Sequence, residues 1–286
     1  KSLFKFGGVA ILGTSFATII VYIDVIMLGG MRGQADVASF SIGFYIVSIM
    51  SVPFVAIGSI VTPLLSTAIR HKKWAEVLNY YKQTSLNNFI IGGFIFILLI
   101  LSFSDIVNVL PSGKGYENAF YIVCFLGIGR LLDMITGCNS EIIILSKHYM
   151  FNFYSIVFVS ILKIISNYFL ISHFGVEGIA ISGLGALFLF NISRYLYIYF
   201  KMGFQPFTLK TLIAIFILLI TSILTWSILK FIHLDLFGHK FYSALINVIV
   251  KSVIWSLIFI PIILLCRVSK ELNSFYNLLR SKIQIW

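Results

Sequence analysis

Arg130, Lys163, Arg194 and Lys251 each fall inside a long apolar run. An ionised side chain held in hydrocarbon costs roughly 2.5–3.5 kcal/mol on insertion scales, so the four are expected to face a polar cavity or one another. In LGIGRLLDMITGCNSE, residues 126–141, positions 130, 133, 137 and 141 share one helical face. That face aligns Arg130, Asp133, Gly137 and Glu141 and predicts the wall of a wet cavity. Lys163 shares a face with Ser160 and Asn167, and Asn191 with Arg194 makes a polar i, i+3 pair. Polar residues that share a face can contact a ligand together. Two structural alternatives stay open: Arg130 and Asp133 as a self-neutralising ion pair, and Asn167 and Asn191 as interhelical hydrogen-bonding residues. Asp24, about five residues from the outer end of its run, could hold a proton or cation, hydrogen-bond a sugar, or pair with a lysine.

The elements that carry these residues follow from composition. Of 286 residues, 59% are hydrophobic and 11% charged, with a mean hydropathy of +1.02, far from the pattern of a soluble domain. Crossing a hydrocarbon core of about 30 Å takes roughly 20 apolar residues as helix. Eight such spans are expected, at 7–29, 36–67, 88–110, 118–145, 151–171, 178–200, 209–231 and 243–266. Their length and the lack of period-2 alternation predict an all-α integral membrane protein, not a β-barrel. With a rise of about 1.5 Å per residue, Arg130 and Lys163 each lie roughly 18 Å from a span end, near the bilayer midplane.

The net charge of +11 reflects orientation and not nucleic-acid binding. With the N-terminus cytoplasmic, thirteen Lys and Arg fall in inner segments, from Lys1 and Lys5 to Arg280 and Lys282, against Arg32, Lys114 and Lys240 outside. An even number of spans then places both termini of this segment in the cytoplasm. Lys230, at an outer helix end, is expected to snorkel. Cys124, Cys138 and Cys266 show no ligand spacing and no disulfide pattern, so neither a metal nor a cofactor is expected. The histidines lie in connectors or at span ends, without a catalytic motif, which argues against an enzyme. RHKKWAEVLNYYKQ, with Trp74, Val77, Leu78 and Tyr81 on one side, reads as a helix lying in the headgroup plane. The tail SKELNSFYNLLRSKIQIW is similarly amphipathic. In VPFVAIGSIVTP, Pro53, Gly58 and Pro63 allow bends and are candidate hinges for a moving helix.

The run IDVIMLGGMRGQADVASFSIGFYIVSIMSVPFVAIGSIVTPLLS resembles the segment opening the second half of the polysaccharide and O-antigen repeat-unit flippases, in the multidrug/oligosaccharidyl-lipid/polysaccharide exporter superfamily. The matching residues are Asp24, Leu28, Gly29, Pro53, Pro63 and Ser66; Phe40 stands where the family often has tyrosine. HFGVEGIAIS, 173–182, is similar to that family's Gly-x-x-Gly-Ala-Ala element, with Gly175 and Gly178 matching and Ile179 in place of the first alanine. The resemblance implies a six-helix C-terminal lobe over residues 1–200 and two additional helices with an amphipathic cytoplasmic tail over 201–286. It implies a chain that is a fragment whose N-terminal lobe, the other cavity wall, is missing. It also implies alternating-access transport of a polyprenyl-diphosphate-linked oligosaccharide from the cytoplasmic to the outer leaflet of the inner membrane, amid membrane lipids and polysaccharide polymerase machinery. On that reading Arg130 and Lys163 would contact the diphosphate headgroup first, arginine offering a planar fork suited to phosphate and lysine a point charge, and Arg194 and Lys251 next. Asn167, Asn191 and Asp133 would be candidates for sugar or water contacts, and Lys163→Ala would stop transport while sparing the fold. Asp24 would be the coupling or cavity acid. A drug or cation antiporter of the same superfamily is the alternative, though the basic midplane favours an anionic substrate. A membrane-bound acyl- or glycosyltransferase is a more distant one.

Overall fold

The computed structural model describes residues 22–110, 116, 118–231 and 240–283. Residues 7–21 of the first expected span lie outside the described residues. Among those described, every regular element is an α-helix. The chain runs through α1 (Tyr22–Met31), then α2 (Gln34–Ser48), α3 (Ser51–Arg70), α4 (Trp74–Val109), α5 (Ala119–Ile135) and α6 (Asn139–Leu145). It continues through α7 (Tyr149–Met202), α8 (Leu209–Phe231), α9 (Lys240–Leu265) and α10 (Lys270–Ile283). Five of these helices are long and apolar enough to cross a membrane, six when α5 and α6 count as one bent span. The chain is thus a multi-pass, all-α membrane protein.

The expected span 36–67 is two helices, and chemistry at Pro53 explains the break. Proline has no N–H to offer the carbonyl of Ile49, four residues earlier. That oxygen instead accepts from Val52 N–H at 3.2 Å, in a tightened turn that also joins Met50 N–H to Val47 at 3.0 Å. Pro63 lies within α3. The separate headgroup-plane helix expected around Trp74 is not observed, because no proline or glycine separates it from the following span. It forms instead the first turns of the 36-residue α4, about 54 Å long at 1.5 Å per residue. Val77 and Tyr81, fully buried, pack with Leu65, Ala68, Ile142 and Ile198. The Val77 and Tyr81 part of that stripe is therefore protein core, while Trp74 stays exposed.

The expected span 118–145 is broken as well, with α5 and α6 bent by 52°. Gly137 has φ of +60°, the left-handed region that glycine enters without penalty. The backbone groups freed by the break find partners on α4: Ser85 donates to the carbonyl of Ile135 at 2.5 Å, and the Thr84 hydroxyl accepts from Cys138 N–H at 3.2 Å. Arg130 and Asp133 therefore do not share one continuous helical face with Glu141, as the sequence predicts. A Cβ on Gly137 would lie 2.7 Å from Ser85 N and 2.8 Å from Thr84 Oγ1. Gly137→Ala is expected to cost about 2–3 kcal/mol, combining left-handed backbone strain with overpacking. The midpoint of thermal unfolding in detergent reads this loss directly.

The 54-residue α7 is two helices joined at Gly175, whose φ of 59° and ψ of −131° are not helical. The regular helix is interrupted there, and the last carbonyls of a helix need partners from outside it. Arg32, in the connection after α1, takes them: its Nε and Nη2 donate to Ile171 at 3.3 and 3.1 Å, and Nη2 donates to Ser172 at 3.4 Å. Three residues on, Gly178 lets the second half pass directly over the backbone of Leu170. The Gly175 and Gly178 pair thus has a physical reason, a reversal followed by a close approach.

Besides the core around Val77 and Tyr81, two more apolar cores hold the helices in place. The larger draws on α1, α2, α4, α5 and α7, with Leu28, Met50, Ile122 and Ile171 fully buried. The other joins α4 to α8 and α9 around Trp255. That indole stacks on Phe94 at 5.8 Å and donates to the Phe94 carbonyl at 3.0 Å. Such burial is where membrane helices gain packing enthalpy in place of a hydrophobic driving force.

Candidate functional site

Three polar clusters lie between the helices that carry the candidate residues. In the first, between α1 and α7, Lys163 Nζ donates to Asp24 Oδ2 at 2.7 Å and Asn167 Nδ2 donates to Asp24 Oδ1 at 2.9 Å. Both charged side chains are 8% exposed. Lys163, which the sequence leaves without a local acid, is thus paired with the acid 139 positions before it, and Asp24 is held by the lysine and an amide together. The remaining oxygen of Asn167, Oδ1, is buried without a partner among the described residues.

The second cluster joins α5 to the start of α3. Arg130 Nη1 donates to Asp133 Oδ2 at 2.7 Å, while Nε and Nη2 donate to the Ser51 hydroxyl at 3.0 and 2.5 Å. The i, i+3 ion pair weighed from the sequence forms, yet half of the guanidinium fork rests on a neutral hydroxyl. Phe54, one turn along α3, lies 5.5 Å from the guanidinium. Arg130 is the more open member of the pair, its side chain 27% exposed against 13% for Asp133.

The third cluster sits at the α5/α6 break. Asn191 Oδ1 accepts from Thr136 Oγ1 at 2.9 Å and from Asn139 Nδ2 at 3.1 Å. One turn further, Arg194 Nε and Nη2 both donate to Asn152 Oδ1, at 3.0 and 2.7 Å, and the guanidinium stacks 3.5 Å above the Phe190 ring. Its charge interacts with Asp133 and Glu141, which ties this cluster electrostatically to the second. Asn191 acts as the interhelical hydrogen bonder that the sequence offered as an alternative.

Lys251 is not brought to the others. On α9 it pairs with Asp105 of α4 and donates to the Leu101 carbonyl at 3.0 Å, while Asn247 donates to Asp105 at 3.3 Å. Lys230 stays exposed at its helix end over Trp226, 3.6 Å away. Of the candidate hinges, Gly58 lines a narrow cleft with Phe54, Ile57, Thr84, Asn88, Gly137, Cys138 and Glu141. Ser51, Asp105 and Asn152 were missed by sequence reasoning. Asp105 carried a usable signal, an acid inside an apolar span; a serine and an asparagine carried none.

No family model matches the chain and no curated protein matches it. Among solved structures it is similar to the lipid II flippase MurJ in an inward closed conformation, with a TM-score of 0.66 at 16% identity. The match covers 86% of this chain and 52% of MurJ, so the chain spans about half the length of that protein. It has a flippase-like fold. By its title, MurJ is a flippase of lipid II.

Proposed function

We propose that this chain supplies the C-terminal part of a flippase that carries a polyprenyl-diphosphate-linked oligosaccharide from the cytoplasmic to the outer leaflet by alternating access. Residues 1–200 form its six-helix lobe and 201–286 an additional helix pair with an amphipathic tail, both termini of the segment being cytoplasmic. The observation that carries the reading is Arg130: a partly exposed guanidinium in a flippase-like fold, with Nε and Nη2 bonded to a single serine hydroxyl. A diphosphate oxygen is a far stronger acceptor than a neutral hydroxyl, so it can displace Ser51 while Asp133 keeps the arginine in place. Arg194, held by Asn152 and Phe190, adds positive potential behind it. Lys163, Asn167, Asn191 and Asp133 shape this wall, and Asp24 is its candidate coupling acid. Lys251, paired on α9, contributes less directly. Pro53, Gly58 and Pro63 mark α3 as the wall that bends.

The test is the leaflet distribution of lipid-linked oligosaccharide in a strain lacking the full-length gene, with drug tolerance followed alongside. Arg130→Ala in the full-length protein is expected to lower outward transfer at least about tenfold, the equivalent of one charge-assisted hydrogen bond of roughly 1.5–3 kcal/mol. Arg130→Lys, which keeps the charge and loses the fork, should fall between. Normal glycolipid distribution with altered drug tolerance would shift the assignment to an antiporter.

A further inference from the structure

The cleft beside Gly58 holds two acceptors without a hydrogen-bond partner among the described residues. Asn88 is 3% exposed and its Oδ1 has no hydrogen-bond partner among the described residues. Glu141 Oε2, across the same cleft, is likewise buried and unpartnered. Two oxygens with lone pairs and no donor, one of them carrying a carboxylate, form an environment that is completed by positive charge. We propose that Glu141 and Asn88 form a monovalent-cation site, filled by a proton on the carboxylate or by a sodium ion bridging Glu141 Oε2 and Asn88 Oδ1.

The surroundings fit that occupant. On α3 the wall is Phe54, Ile57 and Gly58, with no titratable group, and a Cβ on Gly58 would meet nothing within 4 Å. From α4 the site is faced by Asn88 and Thr84, whose hydroxyl is engaged with the break. Tyr81, further along α4, interacts with Cys138, and Cys138 with Glu141. The charged neighbours of Glu141 are Arg194 on α7 and Asp133 on α5. Neither cancels it by contact: Asp133 is bonded to Arg130, and the guanidinium of Arg194 is bonded to Asn152. Uncharged walls on α3 and two unpartnered oxygens lining one cleft, one of them from a carboxylate outside any ion pair among the described residues, suit a small hard cation, for which oxygen ligands are preferred. The cluster at Asp24 differs, because Lys163 already occupies its oxygen. Cation binding here does not depend on the flippase reading; only its effect on transport would, since filling the site removes the negative field that Glu141 places on Arg194.

A bridging water would also satisfy both oxygens, and it predicts no cation dependence. The test follows the unfolding temperature of the purified full-length protein while sodium chloride replaces choline chloride at constant ionic strength, at several pH values. In parallel, the carboxylic-acid stretch is followed by infrared difference spectroscopy. A saturable rise with sodium in the wild type, absent in Glu141→Gln and reduced in Asn88→Leu, supports sodium as the occupant. No sodium effect, with a carboxylic-acid band that titrates in the wild type and is missing in Glu141→Gln, supports the proton. Glu76→Gln, on an exposed turn, is the control. If Glu141→Gln does not fold, the milder Asn88→Leu and the wild-type band carry the decision. Sodium indifference together with no titrating band assignable to Glu141 overturns the proposal whatever the transport assay shows.

Discussion

Replacing Lys163 by methionine is expected to destabilise the protein by about 3–5 kcal/mol, because it leaves Asp24 buried with its charge uncompensated. Asn167 still donates one hydrogen bond to that carboxylate, but a neutral amide does not cancel a charge. The double replacement Asp24→Leu with Lys163→Met removes both charges and is expected to recover most of the loss, since a buried pair and a well-packed apolar pair are close in free energy. Unfolding midpoints of the two single variants and the double variant in the same detergent form a mutant cycle that reads the coupling. A Lys163→Met protein as stable as the wild type would mean the pair does not hold α1 against α7. The expectation from sequence is that Lys163 can be removed with the fold intact; its pairing with Asp24 predicts a loss of stability as well. A lysine with no acid nearby in sequence turned out to have one across the helix pair. Loss of transport in Lys163→Met alone therefore does not assign a substrate contact; loss of transport in a stable double variant does.

Gly178→Ala is the other change with a large expected effect. A Cβ at this position would stand 2.1 Å from the carbonyl oxygen of Leu170 and 2.4 Å from its carbon. Those are backbone atoms, and no rotamer change relieves the overlap. The two halves of α7 would have to separate, drawing Arg32 off the carbonyls of Ile171 and Ser172. The expected loss is at least about 4 kcal/mol, in the range reached by few single substitutions. Little folded protein should be recovered from the membrane, whereas Gly185→Ala, where a Cβ meets nothing within 4 Å, should behave as wild type. Equal yields from both variants would show that the halves of α7 are not in contact as described.

The fold was largely legible because its causes are local. Hydropathy alone placed α4, α8 and α9 within a few residues at the apolar ends of their spans, and the span pair 151–171 and 178–200 fell on either side of Gly175. The boundary errors have one kind of cause. At Pro53 and Gly137 an apolar run continues while the backbone does not, and hydropathy does not report backbone geometry. Conversely, α4 runs back to Trp74 through sequence too polar to count as membrane span, because Val77 and Tyr81 find a protein surface to bury against.

For the candidate site, sequence by itself determined which residues are charged inside apolar spans and that water or partners had to surround them. It also placed Arg130 with Asp133, a pair separated by a single helical turn. Only the tertiary structure decided that Lys163 meets Asp24, that Lys251 meets Asp105 on a different face, and that Asn88 and Glu141 share a cleft. The physical reason is range. Helical periodicity fixes what lies within a turn or two of a residue, whereas a partner 139 or 146 positions away is chosen by how helices pack. In a bilayer, the expense of an unpaired charge guarantees that each of these cations has a partner, without specifying which one.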